Sequence, residues 1–201
     1  MKPSNRQNLF PTIARTSPTL FLILVILNLL INPSYNSLYL FITYIIVVLS
    51  NWVMKNAIFK PIYNVLDTNK LKVLGLGGRP EGATSCSVVL DNKPSTSFGM
   101  PSGHSQIAWT VAAYLISRII NKWHNTSIGS NKTSNKAIEI LSYFWMILSV
   151  IIILFCATYI SYSRVYIEGC HTLQQVIVGG MIGIVGVYLI FRYENNFVGL
   201  F

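Results

Sequence analysis

From Ile138 to Tyr162 the chain carries one charged residue, Glu139, in a run otherwise dominated by Ile, Leu, Phe and Tyr. A run this long and apolar exceeds the roughly 20 residues that a helix needs to cross a bilayer. Four further apolar stretches accompany it: Thr19–Ile31, Leu38–Met54, His104 to about Ile120, and Leu173–Phe191. In lipid every backbone N–H and C=O must be paired within the segment itself, so such stretches are helices. The first is short, contains Asn28 and has the length of a signal-peptide core. The NPSYNS that follows it offers no small-residue cleavage site, and it reads as a membrane helix. The expected fold is an all-α, polytopic transmembrane bundle of about five spanning helices, a single integral membrane domain over 1–201.

Composition supports the bilayer as solvent. Charged residues are 10% of the chain, against roughly 25% in soluble domains. That excludes a disordered chain, a coiled coil and almost any soluble enzyme. The few charges are biased, 15 Lys+Arg against 6 Asp+Glu, for a net +9. Phosphorylated substrates, anionic lipid headgroups or nucleic acid would match that sign. No soluble face with interleaved aromatics is left over for nucleic acid, so no nucleic-acid partner is expected. The cysteines Cys86, Cys156 and Cys170 show no metal-type spacing, and neither a disulfide framework nor a zinc site is readable. Cys156, inside an apolar run, reads as a small core residue. Gly179, Gly180, Gly183 and Gly186 in the last stretch read as a helix-packing seam.

Three polar clusters punctuate the apolar pattern, and with five helices all three fall on one side of the membrane. They are KVLGLGGRP (Lys72 to Pro80), GMPSGHS (Gly99 to Ser105) and SYSRVYIEGCH (Ser161 to His171). Together they hold two histidines, two arginines, a lysine and a glycine-flanked turn, without a carboxylate cluster. Cations and backbone N–H groups hold phosphate oxygens, and imidazoles move protons or attack phosphorus. Pro101, Ser102 and Gly103 at a helix start have free N–H groups and the positive dipole end, which favour an anion.

These clusters resemble the type 2 phosphatidic acid phosphatase (PAP2) superfamily of membrane lipid phosphatases, whose pattern is KX6RP, PSGH and SRX5HX3D. Lys72, Arg79 and Pro80 match the first part, and Pro101, Ser102, Gly103 and His104 the second. Ser163, Arg164 and His171 match the third with two departures. Six residues stand between Arg164 and His171, and Gln175 occupies the Asp position. The resemblance covers about residues 50–191. GMPSGHSQIAW, SYSRVY and HTLQQV are most similar to the dolichyldiphosphatase branch, which also carries the Gln.

The resemblance implies a phosphohistidine mechanism on a polyprenyl diphosphate of the dolichyl type. His171 is then the nucleophile, His104 the acid and base, and Arg79, Arg164 and a lysine the oxygen clamp, helped by the N–H groups of Ser102 and Gly103. Gln175, one helical turn after His171, could accept the far ring N–H, and an Asp substituted there is expected to be tolerated. Neither a metal nor a cofactor is implied. The lysine has two candidates: Lys72 has the motif spacing, while Asn51 and Lys55 resemble the N-x-x-x-K placement at the end of the second helix. A phosphatidate or other lipid-phosphate phosphatase is the alternative within the class. Outside it stands a non-catalytic lipid-phosphate-binding membrane protein, favoured only by the altered third motif.

The face carrying the clusters holds Lys2, Arg6, Arg15, Lys55, Lys60, Lys70, Lys72, Arg79, Lys93 and Arg164, ten of the 15 basic residues. The opposite face holds two glycosylation sequons, at Asn125 and Asn131. The positive-inside rule therefore puts the clusters on the cytosolic side, in an endomembrane such as the endoplasmic reticulum for a eukaryotic host. Setting aside the phosphate-holding candidates Lys55, Lys72, Arg79 and Arg164 leaves six against five, and the basic N-terminus then tips the balance to the cytosol, whereas the dolichyldiphosphatase resemblance implies the opposite, a lumenal site.

Overall fold

In the computed structural model the first helix starts well before the apolar stretch that announces it: α1 runs Leu9–Ile31. Pro18 lies inside it, and a proline removes one N–H from the helical ladder and crowds the carbonyl four residues back. Here that carbonyl, of Ala14, accepts from the Ser17 hydroxyl at 2.9 Å. The structure describes residues 9–66, 75, 77–83, 85, 86, 95, 97–129 and 136–198.

Helix α2 (Tyr35–Val53) is capped by Ser34, whose hydroxyl accepts from the Ser37 N–H. It continues through a π-helical turn, Met54–Phe59, into the short α3 (Lys60–Val65). After a long connection come α4 (Gly103–Gly129) and α5 (Lys136–Tyr162). A second π-helical turn (Ser163–Ile167) extends α5, and α6 is Leu173–Val198. No strand forms among the described residues.

Four helical segments are long and apolar enough to cross a membrane: Phe10–Ile31, Tyr35–Val65, Ile138–Ile167 and Leu173–Arg192. The remaining long helix, α4, has 27 residues, roughly 40 Å at 1.5 Å per residue, but is more polar. Its polar side chains point into the bundle, where Ser105, Gln106 and Thr110 are buried. The Ser105 hydroxyl donates to the Val176 carbonyl at 2.8 Å, and Gln106 accepts from Asn51 of α2 at 2.7 Å. A central helix satisfied by its neighbours can cross without an apolar surface of its own. The outward faces show the converse. Ile138, Leu141, Phe144, Ile151 and Phe155 of α5 are all more than half exposed, as suits a lipid-facing surface. Cys156 is on this exposed side too, so it is not the core residue expected of it.

The glycine seam forms between α4 and α6. A Cβ on Gly179 would sit 2.5 Å from the Ser102 carbonyl oxygen, and one on Gly180 would sit 2.8 Å from the Trp109 ring. Gly183 is closed off in the same way by the Gln106 backbone. Gly186 departs from the expectation, because it faces open space. The seam therefore brings the start of α6 hard against the turn that opens α4. The starts of α1, α4 and α6 and the ends of α2 and α5 share one end of the bundle. Asn125 falls in the last turns of α4, at the other end, while Asn131 lies outside the described residues.

Candidate active site

At the shared end, α6 begins with His171 just before it and Gln175 in its first turn, both buried. Nδ1 of His171 is 2.9 Å from Oε1 of Gln175. The orientation of the Gln175 amide is fixed, because Nε2 donates to the carbonyls of Gly78 at 2.6 Å and Gly77 at 3.3 Å. With Oε1 thus facing the ring, Nδ1 carries the proton and Nε2 of a neutral His171 keeps its lone pair. Gly77 can present its carbonyl there only as glycine. Its φ is +90°, and a Cβ would overlap the Tyr63 ring. Burial is the largest influence holding the pKa of His171 well below the ordinary 6.5. Arg79, Lys55 and His104 push it the same way, and the Gln175 acceptor opposes them.

The two arginines are held by backbone. Arg79 donates from Nη1 to the Cys170 carbonyl at 2.9 Å, and from Nη2 and Nε to the Ser97 hydroxyl (2.7 Å) and carbonyl (3.1 Å). Arg164, fully buried in the π-helical turn after α5, donates from Nη1 to the Cys86 carbonyl at 3.3 Å and from Nη2 to the Ser163 hydroxyl at 3.0 Å. A guanidinium has five N–H donors, so each keeps capacity for an anion. Burial lowers the Arg79 pKa to about 10, which leaves it charged at neutral pH.

Cys86 and Cys170, unpaired in the sequence reading, form a disulfide. Their spacing of 84 residues concealed it. Their sulfurs and a His171 ring nitrogen lie within 4.8 Å of one another, the one such donor trio among the described residues. Sulfurs bonded to each other are not thiolate donors, so this trio does not fit a metal.

His104 stands in the first turn of α4 with Nε2 3.1 Å from the carbonyl of Arg15 in α1. The Arg15 side chain is ion-paired with Glu168, between the second π-helical turn and His171. In the sequence, Arg15 is only one of the ten basic residues of the clustered face. The one available signal was an arginine inside a helix otherwise headed into lipid.

The Ser102 N–H donates to the Gln175 carbonyl at 3.0 Å, so it is not the free amide expected for phosphate. The Ser102 hydroxyl, by contrast, is buried without a hydrogen-bond partner among the described residues, which makes it the group from this turn available to a ligand oxygen. Gly103 opens α4 beside Asn51, whose Oδ1 would be 3.1 Å from a Cβ there.

A cleft of about 920 Å³ at this end is lined among others by Asn51, Lys55, Lys60, Arg79 and Ser97, and its lining includes Arg79 but neither histidine, Arg164 nor Ser102. Lys55 thus shares a cleft with Arg79, from the π-helical turn that ends α2. Lys72 lies outside the described residues. Of the predicted groups, His104, His171, Arg79, Arg164, Gln175, Ser102, Gly103 and Lys55 converge on this end of the bundle.

A family model described as the PAP2 superfamily matches residues 36–198. Dolichyldiphosphatase 1 of Callithrix jacchus and that of Homo sapiens are each 31% identical over 133 residues, 66% of this chain and 42% of theirs. Dolichyldiphosphatase 1 of Mus musculus is 30% identical over the same length. The chain spans about two-fifths of the length of the curated relatives it matches. No solved structure matches it. Helix α1, with Arg15, lies outside the family match.

Proposed function

Because the chain belongs to the PAP2 superfamily, we propose that it is a multi-pass membrane phosphatase that hydrolyses a polyprenyl diphosphate of the dolichyl type through a phosphohistidine on His171. The observation that carries the reading is the fixed tautomer of His171. Its Nδ1 proton is held by Gln175, leaving Nε2 unprotonated, while the charges of Arg79 and Lys55 and the neighbouring His104 help to keep the ring neutral.

In the first step His171 Nε2 attacks the terminal phosphorus, an N–P bond forms and the bridging P–O bond breaks. His104 gives its proton to the departing lipid monophosphate oxygen. In the second step His104 takes a proton from water, which attacks phosphorus, breaks the N–P bond and releases orthophosphate. Arg79, Arg164 and Lys55 hold the non-bridging oxygens, with the Ser102 hydroxyl as a further donor. Lys55 is preferred to Lys72 because a lysine on a helix end facing Arg79 across a cleft is already positioned. The chemistry assigns no step to a metal or cofactor. An apolar outer surface beside the cleft suits a substrate whose lipid remains in the bilayer, in the endoplasmic reticulum or a related membrane.

The test is phosphate release by the purified protein from dolichyl diphosphate and from phosphatidate, with His171→Ala and Lys55→Ala variants. Preference for dolichyl diphosphate supports the reading, and preference for phosphatidate replaces its substrate. Lipid binding without turnover by the wild-type protein would show a non-catalytic member.

A further inference from the structure

We infer that the Cys86–Cys170 disulfide positions Arg79 and Arg164 in the proposed phosphatase site, so that phosphate binding requires the oxidised pair. The inference rests on the phosphatase reading for its functional consequence, though not for the cross-link itself.

Cys86 belongs to the long connection before α4, and Cys170 immediately precedes His171. Both are almost fully buried, at 3% and 1% exposed. Their Cα atoms are 6.1 Å apart, within the roughly 4.4–6.8 Å that disulfides span. The arginines cross between the same two segments. Arg79, from the long connection, donates to the carbonyl of Cys170. Arg164, from the segment after α5, donates to the carbonyl of Cys86. Each arginine is therefore tied to the cysteine of the opposite segment, and the covalent bond fixes both acceptors at once. Just before Cys170 the chain turns at Gly169, whose φ of +62° lies in the region open to glycine. That turn delivers Cys170 to Cys86.

Without the cross-link, the connection carrying Arg79 would be held by hydrogen bonds from Thr172 and Gln175 to glycine carbonyls and by the arginine clasps themselves. A link between residues 84 apart removes much of the freedom that a long connection otherwise keeps. Loosening it lets the guanidinium groups drift, and a clamp misplaced by about 1 Å loses much of its catalytic value.

The pair forms by thiol–disulfide exchange. The two thiols lose two protons and two electrons as the S–S bond closes, and a protein disulfide of an oxidoreductase accepts them and becomes a dithiol. Such bonds persist in oxidising compartments. The active-site end accordingly faces the lumenal or extracytosolic side, the reverse of the sidedness drawn from charge alone, and the far end of α4 then faces the cytosol.

The experiment takes the full-length protein from membranes in which thiols were alkylated before lysis, without reductant, and maps its cysteines by peptide mass spectrometry. The expected result is a Cys86–Cys170 cross-linked peptide and alkylated Cys156. Dithiothreitol treatment of the folded protein should then raise KM for the lipid diphosphate and Ki for orthovanadate at least 10-fold, with oxidised glutathione restoring both. A Cys86→Ser/Cys170→Ser variant should show the reduced values and no response to reductant, while Cys156→Ser keeps the wild-type response. Alkylated Cys86 and Cys170 in the starting material, or stoichiometric zinc on them, would overturn the inference. So would unchanged KM and Ki in protein whose disulfide is demonstrably reduced. A confirmed cross-link in protein that releases no phosphate would instead overturn the phosphatase reading.

Discussion

Oε1 of Gln175 lies 2.9 Å from Nδ1 of His171, while Nε2 of the same side chain donates to the Gly78 carbonyl at 2.6 Å. One buried amide thus faces a donor on one side and an acceptor on the other. A carboxylate could satisfy only the first, because its second oxygen would oppose the carbonyls of Gly78 and Gly77.

Gln175→Asp, the residue the superfamily pattern carries, should therefore reduce activity here rather than restore it, contrary to the sequence expectation. The shorter side chain also withdraws the acceptor from the ring. A loss of at least 10-fold in kcat is expected, about 1.4 kcal/mol of transition-state stabilisation, with the helical circular dichroism of the wild type. Wild-type turnover would show that the Gly77 and Gly78 contacts do not set the amide.

The pH dependence follows from the depressed pKa of His171. Folded His171 resists protonation, so the nucleophile stays neutral below the ordinary 6.5, and the acid limb of kcat/KM that it governs should lie below that value. The unfolded chain binds the proton more readily. This residue's contribution therefore lowers stability as pH falls through about 6.5 and changes nothing above it. Rate profiles and thermal melts between pH 5 and pH 8 (about three units bracketing the unperturbed value) check both. An acid limb above 6.5 that moves with substitutions at position 175 would reverse the sign.

Arg15 and Glu168 form a buried pair that ties α1 to the segment before His171. Removing either partner breaks a buried ion pair, which costs about 3–5 kcal/mol in comparable sites. Arg15→Ala and Glu168→Ala should each destabilise strongly, and the double variant by less than their sum. Additive losses in a double-mutant cycle would show that the pair does not couple the two elements.

In the α4–α6 seam, Gly183→Leu has no space against the Gln106 backbone and should abolish folded expression. Gly186→Ala, over open space, should behave as wild type. Size-exclusion profiles in detergent separate the two outcomes.

Much of this architecture was legible because apolar length and three motif clusters are written contiguously. Ile138–Tyr162 could be little else than a spanning helix, and GMPSGHS stood at a helix start. What escaped depended on partners distant in sequence. Pro18 and Arg15 hid the first turns of α1, since neither suits an apolar helix until Ser17 and Glu168 are seen to satisfy what they disturb. The Cys86–Cys170 bond joins positions 84 residues apart, which no local spacing announces. The amide of Ser102 looked free because its acceptor, the Gln175 carbonyl, belongs to another helix.

The most direct measurement is acid-free trapping of the phosphoenzyme from dolichyl diphosphate labelled with ³²P in the terminal phosphate. A phosphohistidine mechanism predicts a label on His171 that survives alkali and is lost in acid, as a phosphoramidate is, and that is absent in His171→Ala together with turnover. Turnover retained by folded His171→Ala, or a label on any other residue, would contradict it.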